Sequence, residues 1–113
     1  MTFDELQQKA LSFRDEREWT QFHNLKDLAI SINLEAAELL ECFQWSGDDL
    51  DVADKRDAMI EELADVFNYC LLMANALDVD IIKATSDKID KNSEKYPVRL
   101  ARGSAAKYTE LSR

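Results

Sequence analysis

A chain of 113 residues can build one hydrophobic core and is too short for two domains. Apolar residues make up 46%, so it should fold, while two glycines and one proline argue against a loop-rich all-β or disulfide-stapled domain. A net charge of −9 argues against a partner that is a nucleic-acid polymer, because that affinity rests on basic patches, but leaves room for a small phosphorylated ligand held through a metal.

Thr2 and Glu5 form a capping-box pattern, so a first helix is expected from near Phe3 through Leu6, Ala10 and Phe13 towards Trp19. Asn24 with Asp27 caps a second helix, from about Leu25 to Phe43. Gly47 closes that element in the loop Ser46-Gly47-Asp48-Asp49. A third long helix is expected from about Asp54 to Leu77. Asp80 caps a fourth, which stops before Pro97 because the residue ahead of proline avoids the helical region. The expected class is all-α, a four-helix-type bundle over residues 1–97 followed by a loosely ordered tail, 98–113. Cys42 and Cys70 lack metal-ligand spacing and sit in apolar helical contexts, which predicts buried free thiols. No basic-then-apolar leader opens the chain, and no apolar run approaches the roughly 20 residues of a membrane span, so no membrane contact and a cytoplasmic location are expected.

On a helical wheel the second helix carries one broad apolar stripe through Leu25, Leu28, Ile32, Leu39 and Phe43. Ile30, Leu34 and Ala37 fall on the opposite side. A surface helix has no use for a second apolar strip, so this one predicts a homo-oligomer contact.

Two acidic runs carry the chemistry. Glu35-Ala-Ala-Glu38, extended to Glu41, lies on the second helix; Glu62-Leu-Ala-Asp65, preceded by Glu61, lies on the third. Residues at i and i+3 are neighbours on a helix face, so each run offers two carboxylates to one patch. Four such groups repel unless neutralised, and a hard divalent cation with oxygen ligands does so: Mg2+ most simply, with Mn2+ possible. A di-iron bundle would need Glu-x-x-His pairs, and neither Glu38 nor Glu62 is followed by histidine at the third position. Trp45 and Tyr69 each follow an acid, Glu38 and Glu62, by seven residues. On a continuous helix that spacing puts ring and acid on one face about 10 Å apart, a separation suited to an extended nucleoside triphosphate.

These residues resemble the all-α nucleoside triphosphate pyrophosphohydrolases, the MazG-like group. Glu16-Arg17-Glu18-Trp19-Thr20-Gln21-Phe22-His23, followed by Phe43-Gln44-Trp45, is similar to the dCTP pyrophosphatase subgroup. Lys88 to Pro97 is similar to its basic phosphate-contacting segment. The resemblance covers residues 3 to 97. It implies Mg2+ ligation by Glu35, Glu38, Glu62 and Asp65. It implies base recognition by Trp19, His23, Trp45, Tyr69 and Asn68, and phosphate contact by Lys88, Asn92 and Lys95. Asp27 departs from the pattern, where relatives often carry Asn.

The implied reaction is hydrolysis of a deoxynucleoside triphosphate, dCTP or a modified dCTP first, to monophosphate and pyrophosphate. Glu38 is the first choice for the proton-accepting carboxylate and Glu41 the second. The resemblance also implies sites near subunit contacts, with a tetramer favoured over a dimer. The rivals are a non-enzymatic acidic helical adaptor and a related pyrophosphohydrolase preferring dUTP or other nucleotides.

Overall fold

The computed structural model describes residues 1–111; the last two residues of the expected tail lie outside the described residues. The chain is all-α, with four main helices. It divides into two units, Met1–Val79 and Asp80–Arg113.

In the first unit, α1 spans Phe3–Glu16, α2 Leu25–Glu41 and α3 Arg56–Ala76. The predicted N-caps are made. The backbone N–H of Glu5 donates to the Thr2 hydroxyl at 3.1 Å, and the Thr2 N–H returns a bond to the Glu5 carboxylate at 3.4 Å. At the start of α2, the Asp27 N–H donates to Asn24 Oδ1 at 2.9 Å while Asn24 Nδ2 donates to Asp27 Oδ2 at 2.7 Å. Asn24 thus satisfies a donor that the helix start otherwise leaves open, and Asp27, the residue that departs from the resembled pattern, holds the capping side chain in place by accepting from its amide.

Leu28 from α2 and Leu71 from α3 are 1% and 2% exposed, and pack with Ala10, Leu11 and Leu72 as the core; Phe3, Leu6, Tyr69 and Met73 close around it. Gln7 Nε2 of α1 donates to the Leu71 carbonyl at 3.2 Å. The beginning of α2 meets the end of α3 at this core, while Glu35 and Glu38 of α2 meet Glu62 and Asp65 near the start of α3. The two helices therefore run antiparallel.

Two expected helix ends are corrected. The first helix does not reach Trp19: it stops at Glu16, Glu18 takes a left-handed backbone (φ 55°), and Trp19–Phe22 form a 3-10 turn. The second does not reach Phe43: it ends at Glu41 and the chain turns, with left-handed backbone at Trp45 (φ 66°) and Gly47 (φ 58°). Glycine adopts that conformation freely, and Gly47 marked the second turn; glutamate and tryptophan rarely do, so nothing announced the turns at Glu18 and Trp45 themselves. A 3-10 turn at Ala53–Lys55 leads into α3, two residues after the expected start. Cys42 is buried, Cys70 is half-buried, and both are free thiols.

In the second unit, α4 spans Ile81–Lys95, capped by Asp80, whose Oδ1 accepts from the Lys83 N–H at 3.0 Å. A short α5, Val98–Ala101, and a 3-10 turn at Tyr108–Glu110 follow. The Tyr108 ring lies 6.0 Å from that of Tyr96. No helix among the described residues is long and apolar enough to cross a membrane.

Candidate metal centre and nucleotide-binding face

The i, i+3 spacing does on α2 and α3 what it implies. Glu35, Glu38, Glu62 and Asp65 each contribute a carboxylate oxygen to a group whose members all lie within 4.8 Å of one another. Glu35 and Glu62 are half-buried and Glu38 and Asp65 exposed, so the patch has a covered floor and an open rim. Oε2 of Glu35 and of Glu62 are removed from solvent and have no hydrogen-bond partner. A buried carboxylate oxygen without a donor is costly.

The titration behaviour shows the strain. Glu62 is pushed up from 4.5 to about 7, first by its hydrogen bond with the Glu38 carboxyl, then by burial and by the negative charges of Glu38, Asp65 and Glu35. Glu35 is also raised, by burial first and then by Glu38 and Asp65. Carboxylates crowded closely enough to raise Glu62 and Glu35 in this way are a ready ligand set for a cation. The donors are all hard oxygens, and two of the residues that offer them hold a buried oxygen without a partner. A divalent ion of the Mg2+ type fits this set by charge, number and ligand chemistry. Glu41 stands apart from it, in an open groove with Ala37, Leu40, Phe43 and Gln44.

A run of rings leads away from the end of α1. Phe13 and Trp19 meet edge to face at 5.7 Å, Trp19 and His23 at 6.5 Å, and His23 and Tyr69 at 6.3 Å. Tyr69 lies two turns beyond Glu62 on α3, so it joins the acidic patch to these rings, as its spacing indicated. His23 Nδ1 is buried without a partner. Burial, then the charge of Arg14, holds the imidazole below its ordinary pKa, so the ring is neutral at pH 7. A neutral imidazole in an aromatic setting has both a face to stack and a polar atom to offer.

Within the first unit, Trp45 and Asn68 lie away from the acidic cluster, and the three residues expected at the phosphates belong to the second unit. Trp45 does not share the face of Glu38 two turns on, because α2 has ended; it projects from the following turn, 92% exposed. Asn68 faces the α1 side of α3, in a groove with Leu6, Lys9, Ala10 and Phe13. Lys88 and Asn92 share a groove along α4 in the second unit, and Lys95, one turn further on, holds its ammonium 5.0 Å over the Tyr108 ring. Phe13 was missed as part of the aromatic run. Its spacing from Arg17, i to i+4, was the available signal, and the Arg17 guanidinium lies 3.7 Å over the Phe13 ring.

Residues 30–111 match the model of the MazG-like family. The chain belongs to that family. It is 38% identical to rat dCTP pyrophosphatase 1 over 117 aligned positions, covering 99% of this chain and 69% of the rat protein. Human dCTP pyrophosphatase 1 is 37% identical over 115 positions, covering 97% of this chain and 68% of the human one. The crystal structure of a pyrophosphatase from Archaeoglobus fulgidus superposes with a TM-score of 0.76 at 41% identity, covering 83% of this chain and 91% of that one. This MazG-like chain is thus a nucleotide pyrophosphohydrolase homologous to dCTP pyrophosphatase 1, and the adaptor alternative is set aside. Its four-carboxylate cluster is consistent with the metal site of the family.

Proposed function

We propose that this enzyme hydrolyses a deoxynucleoside triphosphate, dCTP or a modified dCTP foremost, between the α and β phosphates, releasing monophosphate and pyrophosphate. The observation that carries the reading is the cluster of four carboxylate oxygens within 4.8 Å, two of its members holding buried oxygens without partners. Glu35, Glu38, Glu62 and Asp65 would hold Mg2+, or Mn2+ in its place. Bound there, a divalent ion supplies charge neutralisation on phosphate oxygens and orientation of a water.

The chain's own groups do the rest. Glu38 is exposed at the rim and hydrogen-bonds Glu62, which suits it to accept a proton from the attacking water; Glu41 is the second candidate. Trp19, His23 and Tyr69 take the base, with Trp45 and Asn68 contributing. Neutral His23, whose Nδ1 lacks a partner, is placed to bond a base edge, and such a contact discriminates against analogues without the matching group. Lys88, Asn92 and Lys95 contact the phosphates. Residues 1–97 form the catalytic domain and 98–113 a tail, acting on a cytoplasmic nucleotide pool.

The enzyme acts as a homo-oligomer, at least a dimer and by preference a tetramer in which the helices complete a bundle. In the single chain Ile30 and Leu34 of α2 are 48% and 58% exposed, and Ile60, Leu63 and Phe67 form a second exposed strip on α3. Apolar strips of this kind are reserved for partners. The test is a panel of all common nucleoside and deoxynucleoside triphosphates, with and without Mg2+, scored for pyrophosphate. Preference for dCTP supports the reading; preference for dUTP or indifference to the base reassigns the substrate.

A further inference from the structure

The end of α1 holds a hydrogen-bonded network that the chemistry above leaves unused. The Arg14 side chain is only 14% exposed, and its second terminal nitrogen pairs with Asp15 Oδ1 at 2.8 Å. Arg14 Nε donates to the same oxygen at 2.8 Å, and its other terminal nitrogen donates to Asn75 Oδ1 on α3 at 3.4 Å. The Thr20 hydroxyl donates to that Asp15 oxygen as well, at 3.0 Å. Thr20 lies in the turn between Trp19 and His23, and its carbonyl accepts the His23 backbone N–H at 3.1 Å. A continuous path of bonds thus runs from the last turn of α3, through α1, to the turn that supplies two of the rings.

That turn needs an external tie. It leaves α1 through Glu18, a non-glycine residue in left-handed backbone, and no side chain caps it. The Asp15 carboxyl is held below its ordinary range, first by the hydrogen bond from Arg14 and then by that from Thr20, so it is ionised and charge-assisted at neutral pH.

We propose that Asp15 is a positioning residue: by joining Arg14 to Thr20 it fixes Trp19 and His23 against Tyr69 and keeps the aromatic face ready for a nucleobase. The inference rests on the proposed reading of that face as the base site. A face fixed in advance spares the ordering cost of binding. The carboxylates on α2 and α3 are not part of the network, so its loss weakens substrate capture and leaves the bond-breaking step alone.

Three variants of the full chain test it: Thr20→Val, nearly isosteric but without the hydroxyl; Asp15→Ala, which removes the acceptor; and Thr20→Ser, which keeps the hydroxyl. Acrylamide quenching of Trp19, without nucleotide, is read in a Trp45→Phe background, where Trp19 is the one remaining indole. Thr20→Val and Asp15→Ala should raise the quenching of Trp19. In otherwise unaltered enzyme they should raise KM about three- to tenfold with kcat and melting temperature kept, and Thr20→Ser should behave as the parent. Unchanged quenching and unchanged KM in both variants overturn the proposal. So does a loss of kcat that tracks a loss of melting temperature, since that marks a merely structural contact. If the parent enzyme turns over no nucleotide, the base-site reading falls by itself, and raised quenching still upholds the tie between Asp15 and Thr20.

Discussion

The four carboxylates project from the interiors of two regular helices, whereas Trp19, His23 and Trp45 stand where a helix has already ended. Glu35 and Glu38 lie well inside α2, and Glu62 and Asp65 well inside α3, so one fixed rise and turn per residue brings each pair together. Trp19 belongs to a 3-10 turn, His23 closes that turn, and Trp45 has left-handed backbone. Among Trp19, His23, Trp45 and Tyr69, only Tyr69 rides on a regular helix, and it keeps the two-turn spacing from its acid, Glu62. Charge is therefore gathered by helical regularity, while the aromatic face is made by interrupting it.

The sharpest way to break the acidic half is Glu38→Gln, which keeps volume and removes a negative charge from the cluster. Turnover should fall by about 10³-fold, ~4 kcal/mol of barrier, with an unchanged helical circular-dichroism spectrum. Wild-type turnover in that variant would remove the cluster from the reaction. Next in size is the packing both halves share. Leu28 is 1% exposed where α2 crosses the end of α3, so Leu28→Ala should cost about 2–5 kcal/mol in denaturant unfolding. A loss well under that range would show that the antiparallel pair does not depend on this contact.

The aromatic half is tested by Trp45→Ala. Stacking on a base would be lost at about 1–3 kcal/mol in substrate titration. Unchanged affinity together with a shifted sedimentation profile would assign Trp45 to a subunit contact and confine the base to the rings around His23.

The smallest effect follows from the proton balance of the acids. Glu62 titrates at about 7 in the fold against 4.5 ordinarily. A raised carboxyl contributes its stability below the lower value and loses it as pH climbs through the upper one. Metal-free enzyme should therefore melt at falling temperature as pH rises from 4.5 through about 7, and Mg2+ should reverse the fall above that range. A melting temperature indifferent to both pH and Mg2+ would mean that the four acids do not compete for protons or cations.

Much of this architecture was legible in the residues. The caps at Thr2, Asn24 and Asp80 were readable because their side chains act on the backbone three residues ahead, a purely local matter. The acidic pairs were readable for the same reason. The ends of α1 and α2 were not, because Glu18 and Trp45 take positive φ without being glycine. The role of Arg14 was hidden likewise: its partner Asp15 is the next residue in sequence, but its other partner, Asn75, is on another helix. Asp27 was noted as a departure, and what its carboxylate does, accepting from the amide of the capping Asn24, emerged from geometry.

The central claim, attack of water on the α phosphorus at the four-carboxylate cluster, is most directly tested by turnover of dCTP in 18O-labelled water with Mg2+, each product being weighed by mass spectrometry. The account predicts pyrophosphate free of label and monophosphate carrying one labelled oxygen. Label in orthophosphate, or a nucleoside diphosphate product, would place the attack at another phosphorus and contradict it.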